Sequence, residues 1–160
     1  MLLVCFDQFS QICWVRSLLV GMENDEKGTP IRTFRDLKIW QRARELAKIV
    51  YEMTRRSEFS KDFSLKDQAQ SSVTSIMFNI SEGFERDGNR EFHNFLSVAK
   101  GSCGEIESVL VVAFDQSYIG RDEYQITIGS IREESRMIGG LMQHLKRSGL
   151  RGRKFQIPNP

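Results

Sequence analysis

Cysteine, histidine and proline are all scarce in this chain. Three cysteines, Cys5, Cys13 and Cys103, occur among 160 residues. They make no disulfide framework, and a reducing, cytoplasmic setting fits best. The two histidines, His93 and His144, stand far apart with no second ligand at metal-binding spacing, which argues against a zinc site. Three prolines force few breaks, so long helices are the natural expectation. No glycine-rich phosphate loop is present, and no cofactor or small-molecule substrate is expected. Charge of one sign is also missing: the net is +2, which by itself selects no anionic partner.

A clean hydrophobic run of membrane-spanning length is absent too. The opening "MLLVCFDQFSQICWVRSLLVG" is apolar, but Asp7, Gln8, Gln11 and Arg16 interrupt it well before the ~20 residues that a span requires. It has no basic flank and no small-residue cleavage site, so it is not a signal peptide either. Met22 is read as the natural start, with 1–21 a mis-assigned upstream extension; the alternative is a marginal interfacial helix. Residues 1–33 are therefore set apart as an N-terminal extension, 34–147 as the folded domain and 148–160 as a flexible basic tail.

The composition, 40% hydrophobic and 28% charged, is that of a globular chain. Apolar residues recur at threes and fours in four runs, as amphipathic helices require. The first holds Leu37, Trp40, Ala43, Ala47, Val50 and Thr54, with Asp36 as its N-cap. The second opens at Ser64 with Asp67 in a capping-box position, carries Leu65, Ala69, Val73, Ile76 and Ile80, and stops at Gly83. The third, capped by Asp87 or Asn89, holds Phe92, Leu96, Ala99, Cys103, Ile106, Leu110 and Ala113. The fourth holds Ile128, Ile131, Ser135, Ile138, Met142 and Leu145. Such seams, joined by short turns, predict an all-α, up-and-down antiparallel four-helix bundle.

The stretch "IMFNISEGF" places polar groups at the end of the second helix. Asn79 sits at the edge of the seam, where an unpaired buried amide costs ~1–3 kcal/mol, so partners are expected from neighbouring helix ends. Glu82 lies near its helix C-terminus, against the dipole, and calls for a cation or backbone donors. Gly83 is expected to end the helix in a left-handed conformation, with Phe84 folding back. A polar lock on a helix corner is the ordinary outcome for such a set, and a ligand-binding corner is the alternative.

These residues carry a resemblance. Ser75, Ile76, Asn79, Ile80, Ser81, Glu82 and Gly83, followed by Glu91, Phe92, Phe95, Leu96, Gly101 and Ser102, are similar to the signature of proteins encoded in intervening sequences of bacterial 23S ribosomal RNA genes. The stretch "FRDLKIWQRARELAKIVYEMT" likewise looks like that family's first helix. The resemblance covers about 34–147. It implies a small bacterial four-helix bundle that assembles as a homo-oligomeric ring, a pentamer, with no catalytic activity. A more distant resemblance is to the accessory protein of diversity-generating retroelements, a basic barrel working with nucleic acid. One departure stands out: relatives often carry an arginine pair after the glutamine of helix two, where this chain reads "QAQSSVTS".

No catalytic constellation emerges from the residues themselves. Glu105 and Glu107 fall on different helix faces, and Cys103 lies on an apolar seam where a structural thiol is the common outcome. Gly101 and Gly104 are expected to permit close helix approach. Charge is unevenly spread: Lys38, Arg42, Arg44 and Lys48 gather on the first helix, and Lys146, Arg147, Arg151, Arg153 and Lys154 at the C-terminus. Repeated around a ring, these would form a surface for RNA or DNA phosphates, without base readout because no aromatics interleave. The alternative is an oligomeric scaffold. Phe59, Phe63, Val111, Val112, Tyr118 and Tyr124, with Phe78, lie off the seams, and Val111, Val112 and Tyr118 are the expected subunit contacts.

Overall fold

A computed structural model describes residues 31–148 and Gly152. Four long helices, α1 (Lys38–Met53), α2 (Phe63–Glu85), α3 (Asn89–Asp115) and α4 (Arg121–Ser148), follow one another, with 3-10 turns at Phe34–Asp36 and Ser57–Lys61. Each helix packs on its chain neighbours, and α4 closes on α1. The connections are short enough to force antiparallel neighbours. The described residues thus form the expected antiparallel four-helix bundle.

The third seam is buried throughout, from Phe92 to Ala113. Each fully buried aliphatic such as Leu96, Ile106 or Leu110 contributes roughly 1.5–3 kcal/mol from apolar transfer. In α2, Ala69, Val73, Ile76 and Ile80 are buried as expected, with Leu65 at the border; α1 and α4 are shifted slightly from expectation. In α1 the centre of the seam is Ile39, Ala43, Leu46, Val50 and Met53, while Trp40 and Ala47 sit at its border. In α4, Glu134, Met137 and Leu141 are buried and Ser135 and Met142 lie at the margin. Both shifts follow from packing against two neighbours, which draws a wider stripe than one heptad seam.

The helix ends differ more. α1 begins after Leu37, not on an Asp36 cap: the Asp36 carboxylate instead accepts from the backbone N–H groups of Arg32 at 2.9 Å and Thr33 at 2.8 Å. The cap of α2 is Asp62, whose side chain accepts from Leu65 N at 3.0 Å, rather than Ser64. The cap of α3 is Gly88, not Asp87 or Asn89. Gly83 does not stop α2. The helix continues to Glu85, and the left-handed residue is Asp87, at φ 55°. After α3, Ser117 takes the same role at φ 61°, with its N–H donating to Phe114 O and Tyr118 N–H to Ala113 O, the paired bonds of a Schellman ending.

Candidate interaction surface

The polar signature lies at the α2–α3 contact. Asn79 Nδ2 donates to Ser75 O at 2.8 Å and to Ser75 Oγ at 3.1 Å, and Ser102 Oγ donates to Ser75 Oγ at 2.9 Å. The amide is therefore satisfied within its own helix and through a serine pair that joins α2 to α3, not by helix ends. Glu82 is exposed and holds Arg86 at 2.6 Å, four residues on, the cation expected from its place against the dipole. Gly83 is buried because α3 runs against it: a Cβ there would lie 2.7 Å from Phe95 Cβ and 2.8 Å from Phe92 Cδ2. Phe84 packs edge-on to Phe92, at 6.1 Å between ring centres. The set is a polar and steric lock between two helices.

Gly101 and Gly104 behave differently from Gly83. Among the described residues nothing lies within 4 Å of a Cβ built at either, so they are not close-approach positions within the described bundle. Cys103 is buried, and burial first, then the nearby Glu134 charge, pushes its thiol up to about 12. A thiolate nucleophile is thereby disfavoured. Glu105 faces Gln68 on α2 while Glu107 holds Arg132 on α4 at 2.6 Å, so the two carboxylates do point apart. Among the described residues no group of three metal-ligating side chains occurs, and no helix is long and apolar enough to cross a membrane.

The basic residues of α1 divide into distinct settings. Arg42 Nη2 donates to Glu133 of α4 at 2.5 Å, and its Nε lies 3.7 Å from Glu134. It is a strut between α1 and α4. Lys48 holds Glu45 at 2.8 Å on the surface. Lys38, Arg42 and Arg44 line an open groove of about 520 Å³ that also takes in Ile49 and, from α4, Ser130. Lys146 and Arg147 are exposed in the last turn of α4, where they favour the helix dipole. Arg151, Arg153 and Lys154 lie outside the described residues, as do 1–30. Gly152 is seated against the α2–α3 turn, where an added Cβ would meet Asp87 O and Asn89 N.

The apolar candidates also separate. Phe59 is fully buried and stacks on Tyr118 at 5.4 Å, while the Tyr118 hydroxyl donates to Asp62 at 3.3 Å. Tyr124 stacks on Phe114 at 4.7 Å. These three rings belong to the bundle's own corners. Phe63, Phe78, Val111 and Val112 are exposed, and they are joined by Ile49, Val98 and Ile126, which spacing alone did not single out.

Glu134 gave no such signal either. It sits on the buried face of α4 with no exposed surface. Among the described residues, no group hydrogen-bonds either of its carboxylate oxygens. Burial pushes its carboxyl up to about 8, opposed by Arg42 and reinforced by Glu133. The only clue in the sequence is position: Glu134 falls three residues after Ile131 and four before Ile138, within the apolar seam.

The described residues thus define an antiparallel bundle of four helices, locked by serines and a buried glycine at α2–α3 and by an arginine strut at α1–α4. The chain belongs to the family of 23S rRNA-intervening sequence proteins, whose pattern matches residues 35–140. Its fold is similar to the crystal structure of a protein of unknown function from the S23 ribosomal protein family of Bacteroides thetaiotaomicron. The two share 24% identity over 66% of this chain and 95% of that one, with a TM-score of 0.61. No curated protein matches the chain.

Proposed function

We propose that the protein is a self-assembling four-helix bundle that forms a homo-oligomeric ring, a pentamer by family resemblance, and binds RNA or DNA through phosphate contacts at its basic surface. The observation that carries this reading is the division of charge across the bundle. Within their helical bounds, α1 holds Lys38, Arg42, Arg44 and Lys48 against two acids, and α4 holds five bases against four acids. Together they carry a surplus of three positive charges. By the same count α2 has one base against three acids and α3 two against four, a surplus of four negative charges. Opposite long sides thus attract one another between copies. Exposed Val112 and Phe78 on the acidic side supply apolar area that subunit contact would cover. Tyr118, engaged within its own chain, is left out of this interface.

A scaffold without nucleic acid is the second reading. It is favoured by one specific observation: Arg42 and Lys48 are already paired to carboxylates of the same chain. The full-length protein should first be weighed by light scattering. Its binding to a structured RNA and to duplex DNA should then be followed by fluorescence anisotropy across a salt series. The nucleic-acid reading expects log affinity to fall by roughly 0.7–0.9 per neutralised phosphate with log salt. An oligomer that binds neither at low salt would leave the scaffold, and a monomeric mass would remove the ring.

A further inference from the structure

The exposed apolar side chains are not scattered. Phe78 on α2 is 59% exposed and Val98 on α3 is 54% exposed. Ser102 Oγ, which bonds Ser75 across the two helices, also lies 3.2 Å from Val98 O one turn back, and Phe78 lies one turn beyond Ser75. Because the helices are antiparallel, the two side chains lie at one level, a turn from this contact towards the α2–α3 turn, and form a short ridge along the outer α2–α3 side. Glu82 and Glu85 of α2 and Glu105 of α3 are exposed around it.

A second apolar pair lies across the molecule. Ile126 of α4 is 69% exposed and Ile49 of α1 is 37% exposed. Ile49 lines the 520 Å³ groove together with Trp40, Leu46 and, from α4, Ser130; Ile126 stands one helical turn before Ser130, on the rim beside the groove. The ion pairs Arg42–Glu133 and Arg56–Glu123 fix the antiparallel register of α1 on α4 and bracket this stretch. The groove wall carries three bases, Lys38, Arg42 and Arg44, against one acid, Glu45, and of the bases Arg42 is also paired to Glu133.

We propose that the α1–α4 groove of one copy receives the Phe78–Val98 ridge of a second copy. This rests on the self-association proposed above and specifies its faces. Basic wall meets acidic flank, and the apolar surface of the groove and its rim meets the apolar ridge. Because groove and ridge lie on opposite sides of the bundle, every copy carries one of each. The contact is then heterologous, the kind that builds a closed ring when its rotation closes and cannot be satisfied by a two-fold dimer.

Complementary variants test it. Phe78→Asp with Val98→Asp removes the ridge, and Ile49→Asp with Ile126→Asp removes the apolar surface of the groove and its rim. Each variant alone should be monomeric by light scattering at concentrations where the native chain is oligomeric. Mixed in equal amounts, the pair should give a species of twice the monomer mass and nothing larger, because one intact ridge and one intact groove remain. A native oligomer whose mass survives either double substitution, or variants that stay monomeric when mixed, would overturn the assigned faces. A monomeric native protein would instead sink the self-association reading itself.

Should the aspartate variants fail to fold, as judged by circular dichroism, Ile49→Cys with Phe78→Cys in one chain supplies an independent measurement. Mild oxidation should then give a ladder of linked copies that reduction collapses. Neither single substitution should give it, which also controls for the natural cysteines. Absence of the ladder from an oligomeric double variant counts against the pairing.

Discussion

Glu134 is the residue at which the bundle stores an unfavourable charge. In the unfolded chain its carboxyl titrates at the ordinary value of 4.5, and in the fold at about 8. Between those values the folded state holds a proton that the unfolded state has released. Stability therefore falls as pH rises through this window, and the full penalty is present above about 8. Each unit of difference corresponds to about 1.4 kcal/mol, so the cost is on the order of several kcal/mol. Glu134→Gln cannot ionise. Its stability relative to the native chain, from urea melts, should climb between pH 5 and 8 and level off beyond. A difference that stays flat with pH would mean that Arg42 fully compensates the buried charge. The strut itself was illegible in the sequence: Arg42 and Glu133 stand 91 residues apart, and a lysine- and arginine-rich helix reads the same whether its bases face solvent or a partner helix.

The helices show where periodicity suffices and where it does not. Every apolar position of α3 anticipated from spacing is buried, because α3 makes the most extensive helix contacts in the bundle, with α2 and with α4. Ends were less legible. Phe59, embedded in the polar stretch "RRSEFSKDFS", is buried beneath Tyr118 and pins the 3-10 turn, so α2 starts on Asp62. At the other end Gly83 is not punctuation: Phe92 and Phe95 of α3 occupy the space that a Cβ there would need. Gly83→Ala would gain roughly 1 kcal/mol of helix propensity but must displace Phe95 and the backbone of α3. Overpacking of that kind costs typically 1–3 kcal/mol, so a net loss of stability is expected in thermal melts. Gly104→Ala, with open space around it, should instead leave stability equal or raise it by up to about 1 kcal/mol. If both substitutions moved stability the same way, the close approach at Gly83 would not be what selects glycine there.

For the whole molecule, the proposed subunit contact and a phosphate contact at the end of α4 would draw on different parts of the surface. The Ile49–Ile126 groove runs along the side of the bundle, while Lys146 and Arg147 occupy the last turn of α4. At 1.5 Å per residue, Arg147 lies about 30 Å along the helix from Ile126, further than the ~8–10 Å over which exposed charges act at physiological salt. Reversing these two charges should leave the subunit interface alone while weakening any grip on phosphates at that end. For Lys146→Glu with Arg147→Glu, the expected result is an unchanged mass by light scattering. The log–log salt slope for nucleic acid should become shallower by roughly 0.7–0.9 for each phosphate that is no longer neutralised. An unchanged slope with weaker assembly would reverse the assignment, placing the end of α4 in the subunit interface. An unchanged slope and mass would return both residues to the ordinary role of complementing the helix dipole, and, with the α1 bases committed to the subunit groove, would favour the scaffold reading.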